Sequence, residues 1–500
     1  MALPPQSTAV RQSARVNKTI RIRERPAFAS DGGESLCLVS RAISSPAAGA
    51  RMRLAAYTLM AVSLAAAAFL KGGVVASQWK WSALGLSLAA CLSLSRGTER
   101  GRAPRPTWGM VVLALLLGWM LLQLLPVPPA LVAFLSPYRW NAVQAAREAT
   151  GQDLHAWVAL SVAPPATLQR LLYVVPAMAA FVASREVVWW WPGRAWVAVA
   201  PVVAVAWLES LLGLAQFALM RMAGGPAVSV AGTYVNYDHF AGLLGMAFPL
   251  AVMGAVSAWR KGTTRQNQPA GPALRTSAML TVATCLLMGV FLSLSRMGVV
   301  STLAAAALTA LAALGSRRVG EVKRRRRWLW LVPVAIPLCL FVVLPTRELV
   351  LRFADLTATP EISKDTRIEI WSDTLGVVAA YPWTGCGLGA YEHGLYQFKT
   401  VAPTNTVDFA HNDYLQILAE LGVPGMLLVA VLGGWILKRT LTLVVSTRGG
   451  ANWELAVGLL GAFLTFGLHS LAEFNLFIPA NALALAWLAG VATSLEPTTA

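Results

Sequence analysis

Apolar runs long enough to cross a lipid bilayer recur along most of this sequence. Each run has about 18–25 residues, and about 20 residues of helix cross the roughly 30 Å hydrocarbon core of a bilayer. The composition agrees, because 56% of the 500 residues are hydrophobic and 13% are charged, whereas soluble domains carry about 25% charged residues. The sequence therefore predicts an all-α polytopic membrane protein of about twelve transmembrane helices. The predicted spans lie at residues 54–70, 74–95, 108–125, 166–184, 195–220, 238–258, 276–294, 297–315, 328–345, 411–437, 454–474 and 476–494.

Lysine and arginine residues fall into alternate loops between these spans. Short loops rich in Lys and Arg stay on the cytoplasmic side, which places both termini in the cytoplasm and a large loop, residues 346–410, in the periplasm. The net charge of +18 therefore indicates topology. The run KRRRR at 323–327 is interpreted as an anchor that contacts anionic lipid headgroups. Nucleic-acid binding is the alternative, and the distribution of the charge argues against it.

The chain is predicted to consist of one transmembrane domain, residues 54–494, between two tails. Residues 1–53 are polar and basic without the apolar core of a signal peptide, so we expect a disordered cytoplasmic tail. Met52 directly precedes the first span, and translation from this methionine is an alternative. Residues 495–500 form a short C-terminal tail. The five cysteines have no metal-ligand spacing, and no disulfide is expected.

Two of the predicted outer segments are long, residues 126–165 and 346–410. The first opens with prolines and aromatic residues, which suit a chain folded along the membrane surface. In the second, RIEIWSDTLGVVAAYP (367–382) has apolar residues at helical spacing and predicts a short amphipathic helix that ends before Pro382. Long loops are usually functional or disordered, and the helical pattern favours a lid or a substrate platform.

Three arginines are predicted near the outer ends of the spans, where a charge at membrane depth suggests function. Arg296 lies between two apolar runs with almost no turn between them, at the tip of a helical hairpin. The alternative is an arginine that extends from a helix end to the headgroups. Arg367 opens the amphipathic helix, where a solvated helix start is the alternative. For Arg170 we expect a structural salt bridge.

The five histidines divide into two groups. His239, His411 and His469 are predicted at outer helix ends, whereas His155 and His393 are expected in the outer loops. Zinc binding is an alternative for the first group. Their sequence spacing lacks the clustering of a metal centre, so no metal site is predicted.

His411 has the local sequence best suited to catalysis. We expect Asp408 to be the N-cap of the helix that His411 opens. The positive end of a helix disfavours a protonated imidazole, and a neutral imidazole is able to act as a general base. Gly422, eleven residues further on, is expected close to the same helix face, where it permits close packing. A histidine at a helix end without a catalytic role is the alternative.

His411, Asn412, Gly422 and Gly425 have the spacing His, Asn, nine residues, Gly, two residues, Gly. With this signature the chain resembles the O-antigen ligase/polymerase superfamily of bacterial envelope glycan enzymes. Asp238 departs from the Asn that is frequent in relatives. The resemblance covers roughly residues 108–494 and includes GTYVNYDHFAG (232–242), SLSRMG (293–298), RIEIW with YPWTGCGLGAY (367–391), HSLAEFNLFIPANAL (469–483) and QLLPVPPALVAFLSP (123–137).

The resemblance implies a metal-independent, inverting glycosyltransferase without a cofactor, located in the bacterial inner membrane with its active site facing the periplasm. The implied donor is a glycan on undecaprenyl pyrophosphate. The implied acceptor is a hydroxyl of lipid A–core, of another lipid-linked glycan or of a protein serine. His411 is implied as the base that deprotonates this hydroxyl, and Arg296 and Arg367 as the groups that bind the pyrophosphate. Candidates for supporting roles are Arg170, Asn236, His239, Asn412 and His469.

Several functions stay open at this point. Polymerase, ligase and protein O-glycosyltransferase share the donor chemistry and differ in the acceptor. A multi-span transporter is the alternative from another class, because twelve spans with both termini inside also describe many carriers. Glu209 and Glu420 lie inside predicted spans and favour the transporter, unless they only make structural hydrogen bonds. A structural scaffold leaves His411 and the arginines unexplained.

Overall fold

The computed structural model describes residues 46–94, 108–153, 156–191, 193–224, 229–264, 270–314, 365–400, 406–447, 450 and 452–496. The chain divides into two compact units, Met1–Arg51 and Met52–Ala500. Of the first unit, residues 46–51 are described and are helical. His411 and the residues around it lie in the second unit. The predictions made for residues 1–45, the KRRRR anchor, the span at 328–345, His155 and the start of the 346–410 segment lie outside the described residues.

The described chain is mostly helical, with one pair of two-residue strands, β1 (Pro126–Val127) and β2 (Val158–Ala159), that pair antiparallel. Short 3-10 turns lie at Lys71–Gly73 and Asn475–Phe477. The helices are α1 (Pro46–Phe69), α2 (Ala76–Leu94), α3 (Trp108–Leu122), α4 (Pro129–Leu135), α5 (Pro137–Thr150), α6 (Pro164–Trp190), α7 (Trp196–Met222), α8 (Tyr237–Thr264), α9 (Ala270–Leu292), α10 (Arg296–Leu314), α11 (Asp365–Ala380), α12 (Tyr391–Leu395), α13 (Asp413–Ser446), α14 (Trp453–His469) and α15 (Pro479–Ser494).

Within the described residues, six helices are long and apolar enough to cross a membrane. These are Gly49–Phe69, Pro164–Trp190, Trp196–Met222, Tyr237–Lys261, Gly271–Leu292 and Asp413–Ser446. Three shorter apolar helices, Trp108–Leu122, Arg296–Leu311 and Trp453–His469, coincide with other predicted spans. This architecture agrees with the predicted all-α membrane protein. The number of twelve spans, the side on which the termini lie and the periplasmic position of the long loop stay predictions.

Helix α8 lies at the centre of the bundle. In the apolar stretch of α8, 89% of the residues are buried, compared with at most 50% in the other long apolar helices of the described residues. It packs against α9, α14 and α10, and small residues allow this close approach. At Gly245, for example, a Cβ would lie 2.6 Å from Oγ1 of Thr302. The start of α8, at Tyr237, therefore brings its side chains into contact with several other helices.

The segment before α13 folds onto the bundle as ordered structure. Helix α11 occupies Asp365–Ala380, as the sequence predicted, and Nε1 of Trp371 donates to the carbonyl of Ala410 over 2.9 Å. The glycine-rich loop that follows, residues 381–390, packs against α13, where the amide of Gly387 donates to the carbonyl of Glu420 over 3.0 Å. These contacts join α11, the loop and the start of α13 into one surface.

Helix α13 is interrupted at Gly422, where φ is 66° and ψ is −175°. The interruption frees backbone groups for the neighbouring loop, and the amide of Val423 donates to the carbonyl of Pro382 over 2.8 Å. A Cβ at Gly422 would lie 2.6 Å from the carbonyl oxygen of Trp383. Gly422 thus permits the close packing that the sequence predicted, and its partner is the backbone of the glycine-rich loop.

Candidate active site

His411 lies two residues before the first residue of α13, in a backbone conformation that is uncommon for a residue with a side chain. Its φ is 49°, in the left-handed region. Asn412 is the N-cap of α13, because its side-chain oxygen accepts from the amides of Tyr414 (3.0 Å) and Leu415 (3.1 Å). The prediction of Asp408 as the N-cap is therefore wrong. The helix begins at Asp413, and only the residue directly before the first turn is able to cap it.

The start of α13 is tied to the turn at residues 470–476. Nδ2 of Asn412 donates to the carbonyl of Leu471 over 2.9 Å. Oγ of Ser470 donates to Oδ2 of Asp413 over 2.6 Å, and the amide of Leu476 donates to the same carboxylate over 3.1 Å. Glu473 lies between Leu471 and Leu476 in this turn, so these bonds hold its side chain at a defined position beside His411.

Glu473 lies between His411 and Arg367. One carboxylate oxygen, Oε2, is 3.4 Å from Nδ1 of His411, and the other, Oε1, accepts a hydrogen bond from Nη2 of Arg367 in an ion pair. The side chain of Glu473 is 1% exposed, whereas those of His411 and Arg367 are 33% and 35% exposed. Nε2 of His411 has no hydrogen-bond partner among the described residues. A buried carboxylate thus orients an accessible imidazole and an accessible guanidinium.

Glu473 follows the last residue of α14 by four positions and lies in the turn beyond that helix. Burial alone would raise the pKa of its carboxyl group. The hydrogen bond from His411 and the positive charge of Arg367 outweigh this effect and lower the pKa below the ordinary value of 4.5. The carboxylate is therefore charged at neutral pH, as required for a group that stabilises a positive imidazole.

Phe474 forms an aromatic contact with each of two histidines. Its ring lies edge-to-face with the imidazoles of His411 (4.9 Å between centroids) and His239 (4.5 Å). Phe409 stacks on Phe474 at 4.1 Å. Phe409 and Phe474 together form an aromatic wall beside His411.

His239 and His469 are buried, in contrast to His411. Nδ1 of His239 lies 3.4 Å from Oδ1 of Asn475, and its carbonyl accepts a hydrogen bond from Nδ2 of Asn481 over 2.9 Å. His469 is fully buried, and neither of its ring nitrogens has a hydrogen-bond partner among the described residues. Of the three histidines predicted at outer helix ends, His411 is therefore the one that is accessible to a substrate.

Arg296 is the first residue of α10 and is partly exposed. Its guanidinium has no ion pair or hydrogen bond within the described part of the chain. The preceding residue, Ser295, accepts a hydrogen bond from the amide of Gly298 (3.0 Å) and donates to Oδ1 of Asp238 (2.5 Å). Asp238 interacts electrostatically with Arg367, His411 and Glu473. Asp238 thus links the start of α10 to Glu473, His411 and Arg367.

Asn236 and Arg170 have less direct relations to His411. Oδ1 of Asn236 accepts from the amide of Asp238 over 2.8 Å at the start of α8, which is a structural role. Nη1 of Arg170 donates to the carbonyl of Phe477 over 3.1 Å. The salt bridge predicted for Arg170 is not found among the described residues, because its guanidinium lies against aromatic rings instead.

The two acids that favoured a transporter make local hydrogen bonds. Glu209 accepts from the amide and the hydroxyl of Thr233 (3.0 and 2.6 Å). Glu420 accepts from the amide of Gly389 (2.7 Å) and from Nε2 of Gln416 (2.8 Å). Both carboxylates are buried. These bonds support the structural alternative for both residues.

Glu473 is the functional candidate that the sequence reasoning missed. The signal was present, because Glu473 is an acid within a predicted span, 454–474, and such residues usually have a functional reason. The structure also places Asp238 beside the site, where it interacts electrostatically with Glu473, Arg367 and His411. Within the described ranges, no group of three or more His, Cys, Asp or Glu side chains is placed to hold a metal ion.

Comparison with protein families finds a match. Residues 281–430 match the family model described as O-antigen ligase. The matched range includes Arg296, Arg367, His411 and the interruption at Gly422. A comparison with curated proteins finds no match. The match supports the O-antigen ligase/polymerase superfamily, in agreement with the resemblance found in the sequence.

Proposed function

On the premise that this multi-pass membrane protein belongs to the O-antigen ligase/polymerase superfamily, we propose that it transfers a glycan from undecaprenyl pyrophosphate to an acceptor hydroxyl. The reaction takes place at the periplasmic face of the bacterial inner membrane, is metal-independent and inverts the configuration of the anomeric carbon. The observation that carries the proposal is the position of Glu473, whose two carboxylate oxygens contact His411 and Arg367.

His411 acts as the general base. Because Nδ1 faces Glu473, Nε2 is left to accept the proton of the acceptor hydroxyl. The hydroxyl oxygen then attacks the anomeric carbon of the donor, and the bond from this carbon to the pyrophosphate oxygen breaks on the opposite face. The proton resides on His411, where the carboxylate of Glu473 stabilises the imidazolium.

Arg367 and Arg296 bind the pyrophosphate. Pyrophosphate is already a good leaving group, so the site has to position the donor and to balance the negative charge that develops. Guanidinium groups suit phosphate oxygens because they offer paired, charge-assisted hydrogen bonds. Arg367 uses one nitrogen for Glu473, and Arg296 has no partner within the described chain, so both have donors available.

For the acceptor, the proposal names classes of enzyme and no individual molecule. Surface-polysaccharide polymerase and O-antigen ligase are preferred, with protein O-glycosyltransferase as the alternative. Within the outer segment, the surface formed by α11 and the glycine-rich loop packs beside His411 and is proposed to select the acceptor. The transporter is less favoured, because the acids that supported it make structural hydrogen bonds.

The proposal is tested by the transfer activity of purified His411→Ala in detergent, with lipid-pyrophosphate glycans and candidate acceptors. We expect loss of product with donor binding retained. The matched control is His393→Ala, because His393 is exposed on the same outer segment and should keep full activity. Undiminished transfer by His411→Ala would return this histidine to a structural role. The acceptor consumed by the wild type distinguishes ligase, polymerase and protein glycosyltransferase.

A further inference from the structure

Arg170 is held in place by contacts along its whole side chain. It projects from the first turns of α6, and its stem packs against the glycine-rich loop. Gly389 has a φ of 71°, and a Cβ there would lie 2.6 Å from Cβ of Arg170. The loop therefore reaches α6 at Arg170 only because residue 389 is a glycine.

The guanidinium of Arg170 lies among three aromatic rings. Its Cζ is 5.2 Å from the ring centroid of Phe477, 5.5 Å from that of Tyr173 and 5.6 Å from that of Phe409. These distances are typical of cation–π contacts. One nitrogen donates to the carbonyl of Phe477. The rings fix the plane of the guanidinium without using its N–H donors.

Most of the hydrogen-bonding capacity of Arg170 remains available. A guanidinium has five N–H donors, and the described residues provide one hydrogen-bond acceptor, the carbonyl of Phe477. No carboxylate of the described residues forms an ion pair with Arg170. Glu420 interacts with it electrostatically, but the two oxygens of Glu420 already accept from Gly389 and Gln416. Arg170 is partly exposed, so an external anion is able to reach it.

Arg170 is linked to His411 through the two stacked rings of the aromatic wall. Phe409, which contacts the guanidinium, is two residues before His411 in the chain and stacks on Phe474. Phe474 in turn contacts His411. Arg170 thus lies near the reacting centre, separated from it by the rings of the wall, and the group it binds belongs to a part of the substrate away from the scissile bond.

We infer that Arg170 binds the carboxylate or phosphate of an acidic sugar in the glycan handled by this site. A planar guanidinium held by rings suits an anion with two oxygens, because it donates two parallel hydrogen bonds without losing further side-chain freedom. The inference rests on the proposed function for the glycan, and it assigns Arg170 to substrate specificity. The acidic sugar belongs to either the donor or the acceptor glycan.

The experiment uses saturation-transfer NMR to measure binding to the purified full-length chain in detergent. Three oligosaccharide probes of the same length are compared, an oligoglucuronate, its carboxyl-reduced neutral counterpart and a phosphorylated oligosaccharide, and inorganic pyrophosphate is tested separately. The wild type should bind the acidic probes roughly tenfold more tightly than the neutral one. Arg170→Gln should lose this preference, and Arg170→Lys should keep part of it. Lys399→Gln, an equal change of charge in the outer segment, should leave it unchanged.

Three results would overturn the inference. The first is a wild type that binds the acidic and neutral probes equally, and the second is an Arg170→Gln variant that weakens binding of the acidic and neutral probes equally. The third is loss of inorganic pyrophosphate binding in Arg170→Gln, which would assign Arg170 to the donor's leaving group. If Arg170→Gln does not fold, Arg170→Lys still decides, because a folded Arg170→Lys variant with the full wild-type preference would contradict binding through the planar guanidinium. Competition with the lipid-linked donor shows which glycan carries the acidic sugar.

The outcome is independent of catalysis. His411→Ala should keep the preference for acidic probes even though it transfers no glycan. Loss of transfer with this preference intact supports both proposals, whereas full transfer by His411→Ala together with the preference contradicts only the assignment of the base.

Discussion

The carboxylate of Glu473 lies 3.4 Å from Nδ1 of His411, and its other oxygen pairs with Arg367. This contact couples two side chains with different tasks in the proposed reaction, proton removal and binding of the leaving group. Because Glu473 is buried, the charge on it acts through a medium with little screening. The coupling leads to predictions about activity and stability.

Glu473→Gln should lower kcat for glycan transfer roughly 100-fold, the lower end of the contribution of general-base catalysis. The amide has nearly the shape of the carboxylate but lacks its charge, so it no longer stabilises a positive His411. Steady-state transfer assays measure the effect. The matched control is Glu454→Gln, since the buried Glu454 also forms an ion pair with an arginine, Arg260, between α14 and α8. Equal losses in both variants would indicate a general effect of ion pairs on stability.

The stability of the protein should decrease in acid through Glu473. Its pKa is lowered in the folded state from an ordinary value of 4.5, so its contribution is fully present above pH 4.5 and is lost as the pH falls through the folded-state value. Thermal unfolding in detergent, from neutral pH down to roughly pH 3, measures the decrease. Glu473→Gln should show a shallower decrease in this range. Parallel curves for the two proteins would remove Glu473 from acid destabilisation.

Arg296→Lys should reduce transfer substantially, by about tenfold or more. Lysine keeps the charge but loses the planar pair of donors that fits pyrophosphate oxygens. The effect should appear in the KM of the donor as well as in kcat. Arg221→Lys serves as the control, because Arg221 is an exposed cation at the end of α7. Wild-type kinetics in Arg296→Lys would exclude Arg296 from the pyrophosphate site.

Asn412→Ala should destabilise the start of α13 by about 1 kcal/mol, the usual cost of a lost N-cap. It also removes the hydrogen bond to Leu471, so the position of His411 relative to Glu473 should become less defined. We expect a lower unfolding temperature and lower kcat. Asn412→Ser keeps a capping oxygen and should recover most of the stability. An Asn412→Ala variant as stable as the wild type would contradict the capping role.

Gly422→Ala should destabilise the protein by about 1–3 kcal/mol. The backbone at Gly422 has a conformation that is nearly restricted to glycine, and an added Cβ would meet the carbonyl of Trp383. Thermal unfolding measures the effect. Gly433→Ala lies in the same helix, where a Cβ would have no atom within 4 Å, and should be neutral or slightly stabilising. The difference between the two variants isolates the close contact with the loop.

Much of the fold could be predicted because its signals are local in the sequence. The helix at 367–382 appears as Asp365–Ala380, since apolar spacing and a following proline both act within the segment. The helical hairpin around Arg296 also agrees, with α9 ending at Leu292 and α10 beginning at Arg296. The cap of α13 could not be predicted reliably, because Asp408 and Asn412 both suit a cap and a shift of the helix start decides between them.

The sequence by itself determined that the chain is an apolar, mostly helical membrane protein, and the spacing of His411, Asn412, Gly422 and Gly425 carries its resemblance to a family. These properties depend on hydrophobicity and on spacing within single segments. The tertiary structure decided which groups accompany His411. Glu473 is 62 positions from His411 and 106 positions from Arg367 in the chain, so their contact depends on how α11, α13 and α14 pack. A buried carboxylate in an apolar chain needs partners, and only packing determines which side chains supply them.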